Sequence, residues 1–143
     1  MIKRVGCIAI AVKDSKATAA KYMDLLGMEK ALDYSLPDVG IKHSELLRLG
    51  ELFIELIEPT DSDTPLKRFV EKQGEGFFQL ALLTDDVDAE LKRLGEKGAR
   101  VSRMVISQEK NIISGYISPK STSGVVMELT TEHHWPYSIL LKK

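Results

Sequence analysis

One cysteine in 143 residues, Cys7, leaves nothing for an internal disulfide to join, so packing and hydrogen bonds must hold the fold. No apolar run approaches the length of a membrane span. The opening Met1-Ile2-Lys3-Arg4-Val5 lacks the apolar core and cleavage site of a signal peptide. The expectation is a soluble cytoplasmic protein. A formal net charge of -1 gives no general attraction for nucleic acid or an anionic membrane, so neither is expected as a partner. The chain has no glycine-rich phosphate loop, nucleophile elbow, paired-cysteine zinc motif or His-Glu-x-x-His helix. Low-complexity segments are missing too.

The length, with 43% hydrophobic and 29% charged residues, suits one compact domain spanning 1–143. Val5 to Val12 reads as a buried strand. Asp14 then suits a helix N-cap, with Ala19, Tyr22, Met23 and Leu26 at helical spacing and Gly27 where a left-handed residue closes the helix. Pro37-Asp38-Val39-Gly40 reads as a turn flanked by strands, and Leu52 to Ile57 as a strand ending at Glu58-Pro59. Thr64-Pro65 opens a short connector helix, about 64–74, closed by Gly74.

The second half repeats the first. Gln79-Leu80-Ala81-Leu82-Leu83-Thr84-Asp85-Asp86 lines up with Cys7-Ile8-Ala9-Ile10-Ala11-Val12-Lys13-Asp14. A helix with Val87, Leu91 and Leu94 on one face follows, then strands at Val101 to Val105 and Ile112 to Ile117, a turn at Pro119 to Gly124, and a last strand. Glu128 in Val125-Val126-Met127-Glu128-Leu129 matches Glu55 in Leu52-Phe53-Ile54-Glu55-Leu56-Ile57. The offsets are 72 (79 minus 7) and 73 (128 minus 55), so the register holds across the half. The architecture read from this is α+β, two tandem βαβββ modules at about 1–60 and 77–131. Unpaired carboxylates are costly on buried strand faces. Two of them in matching contexts point to a shared purpose. Beyond the last strand, adjacent His133 and His134 would face opposite ways on a strand. That stretch reads as a surface tail packed through Trp135.

Three stretches carry a family resemblance: Met1 to Val12; Ile54-Glu55-Leu56-Ile57-Glu58-Pro59 with the Thr64-Pro65-Leu66 helix start; and Ser118 to Leu129. On these the chain resembles the vicinal oxygen chelate superfamily, which includes glyoxalase I, bleomycin-resistance proteins and extradiol dioxygenases. Within it the methylmalonyl-CoA epimerase branch is the most similar. The resemblance implies a mixed sheet curved around a cleft, with metal ligands from the first and last strands of each module. Carried over, these are Cys7, Glu55, Gln79 and Glu128. The epimerases usually open both modules with histidine, in a His-Ile-Ala type sequence, where this chain has Cys7-Ile8-Ala9 and Gln79-Leu80-Ala81. Glutamine can ligate through its carbonyl oxygen, and cysteine brings a soft thiolate suited to zinc.

The activity implied is proton abstraction next to a thioester carbonyl, assisted by a divalent metal (Zn, Co, Ni or Mn). Glu128 is the first candidate for the base. The family places a second glutamate on an earlier strand of the first module, for which Glu45 is the candidate and His43 a competitor. A small-molecule substrate, an acyl-CoA among the choices, and a homodimer are further implications. Two rivals stand beside this reading. One is a small-ligand-binding protein of the same fold with a degenerate metal site, suggested by the missing histidines and by Phe53, Phe77 and Phe78. The other is a glyoxalase I-like lyase.

Overall fold

The same local grammar starts the first helix of both halves. Asp14, in extended backbone, accepts a hydrogen bond from Ala17 N at 3.0 Å, and Asp86 accepts one from Ala89 N at 3.0 Å. Each satisfies an amide that the first helical turn leaves unpaired. The computed structural model describes residues 1–142. Its elements are β1 (Ile2–Ala11), α1 (Ser15–Leu26), β2 (Glu29–Leu36), β3 (Ile41–Leu49), β4 (Leu52–Pro59), α2 (Pro65–Gln73), β5 (Gly76–Thr84), α3 (Val87–Glu96), β6 (Val101–Ser107), β7 (Ile112–Ile117), β8 (Val126–Thr130) and α4 (Tyr137–Leu140). They group into two units, one of residues Cys7–Phe78 and one combining Met1–Gly6 with residues 79 onward.

In the Cys7–Phe78 unit the strand order is β2-β3-β4-β1. β1 and β4 run parallel with Ala9 opposite Glu55, and the other pairs are antiparallel. Side chains alternate between sheet faces. Leu47, Ile54 and Leu56 therefore pack with Val12 and with Ala19 of α1 on one face. The other face carries Ala11 and Ile57 under Leu66 of α2, with Phe69 edge-on to Phe78 at 5.3 Å. The αL residue Gly27, at φ 69°, closes α1 as its position predicts. The buried stripe of α1 stops at Met23, however, since Leu25 and Leu26 are exposed.

In the other unit the order is β5-β8-β7-β6, again with one parallel pair, β5 with β8, where Ala81 lies opposite Glu128. Val87 and Leu91 of α3 pack on Ile117 and Leu129. Leu91 fits because β7 offers Gly115 beneath it: a Cβ there would lie 2.7 Å from Leu91 Cδ2. The C-terminal segment is anchored by Tyr137 and Leu140, both buried on α4, rather than by Trp135, which is half-buried with Lys110 Nζ 5.0 Å from its ring centroid. The Tyr137 hydroxyl lies where a Cβ on Gly6 would come within 2.7 Å. The fold is α+β, each unit a βαβββ arrangement on a mixed parallel and antiparallel sheet.

Candidate functional site

Glu55 sits on the middle of β4 with Ala9 of β1 on one side and Leu46 of β3 on the other. Alternation puts Cys7 on its face of β1 and Ser44 on its face of β3. The Cys7 thiol donates to Glu55 Oε2 at 3.7 Å, and the Tyr34 hydroxyl, reaching over from β2, donates to Glu55 Oε1 at 2.7 Å. As a residue Glu55 is only half-buried, yet its carboxyl group is enclosed by protein. Burial pushes that carboxyl above the usual carboxylate range, against the opposing pull of the Tyr34, Ser44 and Cys7 groups facing it. Ser44 is fully buried, with its hydroxyl facing the Glu55 carboxyl.

The second unit builds a matching pair. Gln79, buried on β5, donates through Nε2 to Glu128 Oε2 at 3.5 Å. The Tyr116 hydroxyl donates to the same oxygen at 3.0 Å. The two tyrosines arrive from different strands. Tyr116 lies on β7 directly opposite Glu128, where the first half has Leu46 opposite Glu55. Tyr34 lies on β2 opposite Ser44, where the second half has Met104 opposite Ser114. Both glutamates thus receive a phenol, by independent routes.

Cys7 and Glu55 are brought together, as are Gln79 and Glu128. Glu45 is not brought to Glu55. It pairs in register with Leu56, on the α1 face of β3, because it is one residue off the parity of Leu46, which faces Glu55. There its buried carboxyl meets His43 Nε2 at 3.0 Å and Lys30 Nζ at 3.4 Å, and Lys30 also holds Asp33 at 2.5 Å. Asp33, His43 and Glu45 place ligand atoms within 4.8 Å of one another, but the Lys30 ammonium already supplies the positive charge. The residue at the Glu55 face of β3 is Ser44. Sequence reasoning missed Ser44, Tyr34 and Tyr116. Strand alternation around Glu55 and Glu128 carried the signal, and only the pairing register could turn it into neighbours.

The donor chemistry can be tested against a divalent ion. Ligands at about 2.3 Å (sulfur) and about 2.0 Å (oxygen) on a tetrahedral ion lie about 3.5 Å apart. Cys7 Sγ and Glu55 Oε2 at 3.7 Å meet that spacing with a shift of a few tenths of an ångström at most. Gln79 and Glu128 at 3.5 Å also suit two ligands of one ion once the amide is turned to present its oxygen. Each pair by itself has the spacing of two ligands of one ion.

The comparisons identify the family. Residues 8–113 match the model of the Glyoxalase/Bleomycin resistance protein/Dioxygenase superfamily. The chain belongs to that superfamily. Among its relatives, the ethylmalonyl-CoA/methylmalonyl-CoA epimerase of Cereibacter sphaeroides is 32% identical over 134 residues, covering 90% of this chain and 98% of that protein. The crystal structure of methylmalonyl-CoA epimerase from Mycobacterium tuberculosis matches with a TM-score of 0.81 at 30% identity, over 91% of this chain and 88% of that one. A methylmalonyl-CoA epimerase in complex with methylmalonyl-CoA and NH4+ matches with a TM-score of 0.82 at 28% identity, over 92% and 95%. The glyoxalase-like fold that the family resemblance implied is therefore the fold found. Among the described residues no helix is long and apolar enough to cross a membrane.

Proposed function

We propose that this protein is an epimerase-like isomerase that moves the proton on the carbon next to a thioester carbonyl of a methylmalonyl-CoA-type substrate, acting in the cytoplasm as a homodimer. The observation that carries this is Glu128, held in a parallel-strand frame shared with epimerases and bound by two donors, Gln79 and Tyr116. A carboxylate so restrained keeps one orientation toward an incoming C–H group and loses little entropy on reaction. Glu128 takes the proton, and delivery of a proton from water to the opposite face of the carbon completes the inversion. The Tyr116 hydroxyl, 3.0 Å away, steadies the charged form before transfer. The residues proposed as ligands for a divalent metal, from among Zn, Co, Ni and Mn, are Cys7 and Glu55 in one unit and Gln79 and Glu128 in the other. Such an ion would supply Lewis acidity at the thioester carbonyl.

The test is incubation of the protein with methylmalonyl-CoA in heavy water, with each metal in turn, following α-proton exchange. Exchange no faster than without protein overturns the reading.

The position of Glu45 favours a second reading. The Glu55 face of β3 offers a serine in place of a carboxylate, so a proton donor for the opposite side of the substrate is missing from that strand. A protein of this fold that binds an acyl-CoA without epimerising it would show tight binding by calorimetry and no exchange.

A further inference from the structure

We infer that Met104 sets the size of the alkyl group accepted on the reacting carbon, meeting that group beside Glu128. The inference rests on the proposed epimerase-like reading and adds the residue that makes it selective. The repeat places Met104 where the first unit has Tyr34. Tyr34 of β2 pairs with Ser44, and Met104 of β6 pairs with Ser114, with β2 and β6 at the two ends of the strand order. The offset is 70 residues for both partners (104 minus 34 and 114 minus 44). From its position Tyr34 reaches across β3 to put its hydroxyl 2.7 Å from Glu55 Oε1. A side chain at position 104 starts from the equivalent place relative to Glu128. Methionine is shorter than tyrosine and ends in a methyl group, so it stops short of that carboxyl and leaves a gap between them. Packing fixes which way it faces. Val101 packs with the α3 cluster and Arg103 Nε donates to Asp88 of α3 at 2.7 Å, so alternation turns Met104 to the other face of β6, that of Tyr116 and Glu128. There it is 48% exposed, and its thioether end is open to a ligand.

Chemistry then decides which part of the substrate Met104 meets. The reacting carbon of a methylmalonyl-type thioester carries a carboxylate, the thioester carbonyl and an alkyl group. An uncharged thioether side chain can neither pair with the first nor polarise the second, and it gains by covering the third. Being unbranched, it also adapts to the shape it meets, which a rigid aromatic ring at the same place would not.

Exchange of the α-proton in methylmalonyl-CoA and in ethylmalonyl-CoA, one methylene larger, reads this through the ratio of their kcat/KM values. Met104→Ala should raise the ethyl-to-methyl ratio by about tenfold, the low end of what one methylene is worth in a pocket, and Met104→Phe should lower it by about as much. Val105→Ala, at a residue 42% exposed on the opposite face of β6, should leave the ratio as in the parent. A variant that merely folds less well loses both substrates alike. A ratio unmoved by either Met104 variant, or moved the wrong way, therefore overturns the inference. Calorimetric affinities for the same two thioesters give a second ratio that needs no turnover. A shifted affinity ratio without exchange sinks only the epimerase reading. Exchange with an unshifted ratio sinks only the role of Met104, and a protein that neither binds nor exchanges either thioester overturns both.

Discussion

At the scale of single residues, the two glutamates at matching positions are not in matching surroundings. Glu55 is enclosed and pushed toward its neutral form by desolvation, with a thiol and a phenol on its oxygens. Glu128 receives an amide and a phenol on one oxygen. A base must be ionised to accept a proton, which favours Glu128 for that role. Replacing it tests the assignment: Glu128→Gln should lower α-proton exchange by about 10²- to 10⁴-fold, the usual contribution of a positioned acid–base group. Tyr116→Phe should lower it less, because the phenol orients the base without being replaced by it. Glu45→Gln should leave exchange near the parent rate while reducing thermal stability, since it breaks a buried contact with His43 and Lys30. The three variants run side by side in the heavy-water assay check all of this.

Another carboxylate is informative for pH. Glu90 on α3 is buried, paired with Arg93 and with the Met1 ammonium at 3.3 Å, and the Arg93 contact foremost holds its carboxyl below the ordinary range. A carboxyl whose folded value is depressed adds stability above its unfolded pKa and loses it as pH falls through the folded one. Glu90→Gln should therefore unfold at a lower temperature than the parent at neutral pH. The gap should close as pH drops below the carboxylate range. Melting curves across pH decide it.

At the scale of elements, the caps and close approaches are where single changes act. Asp14 and Asp86 each fill an N-cap, and Asp86→Ala should cost about 1 kcal/mol in denaturant unfolding. Gly115 is a tighter constraint. Its Cβ would come within 2.7–3.0 Å of three Leu91 side-chain atoms, so the Leu91 side chain or α3 itself has to shift to admit even alanine. Overpacking of this kind costs about 1–3 kcal/mol. Gly115→Ala should lose that much, and pairing it with Leu91→Ala should recover part of the loss, because the two side chains share one space. Much of this level was legible beforehand. Asp14, Gly27, Thr64 and Pro65 announced their helix ends because caps depend on local backbone chemistry. The exposed end of α1 at Leu25 and Leu26 was not legible, because helical spacing says which residues share a face and not how far the sheet beneath it extends. The anchoring of the C-terminal segment by Tyr137 rather than Trp135 was missed for a similar reason: the partner, at Gly6, lies at the far end of the chain.

At the scale of the whole molecule, the duplication was visible as two offsets of nearly equal size, 72 and 73 residues, and as the Ala9–Glu55 and Ala81–Glu128 strand partners now seen in register. A repeat survives in sequence because every module must bury the same helix face on the same strand pattern. The pairing of Cys7 with Glu55 and of Gln79 with Glu128 follows from the parallel first and last strands of each unit, an arrangement the family resemblance implied. The choice of side chains around each pair does not. Whether position 44 or 45 of β3 faces Glu55 turns on a single step of strand parity, set by the hydrogen-bond register with β4 and by the need of Leu47 and Leu56 to meet α1. Sequence alone thus determined the modules, their caps and the two glutamates, all of which rest on short-range patterns or on repetition. Only the tertiary structure decided that Tyr34, Ser44 and Tyr116 surround those glutamates while Glu45 turns away, because neighbours on adjacent strands are chosen by register, which no single strand contains.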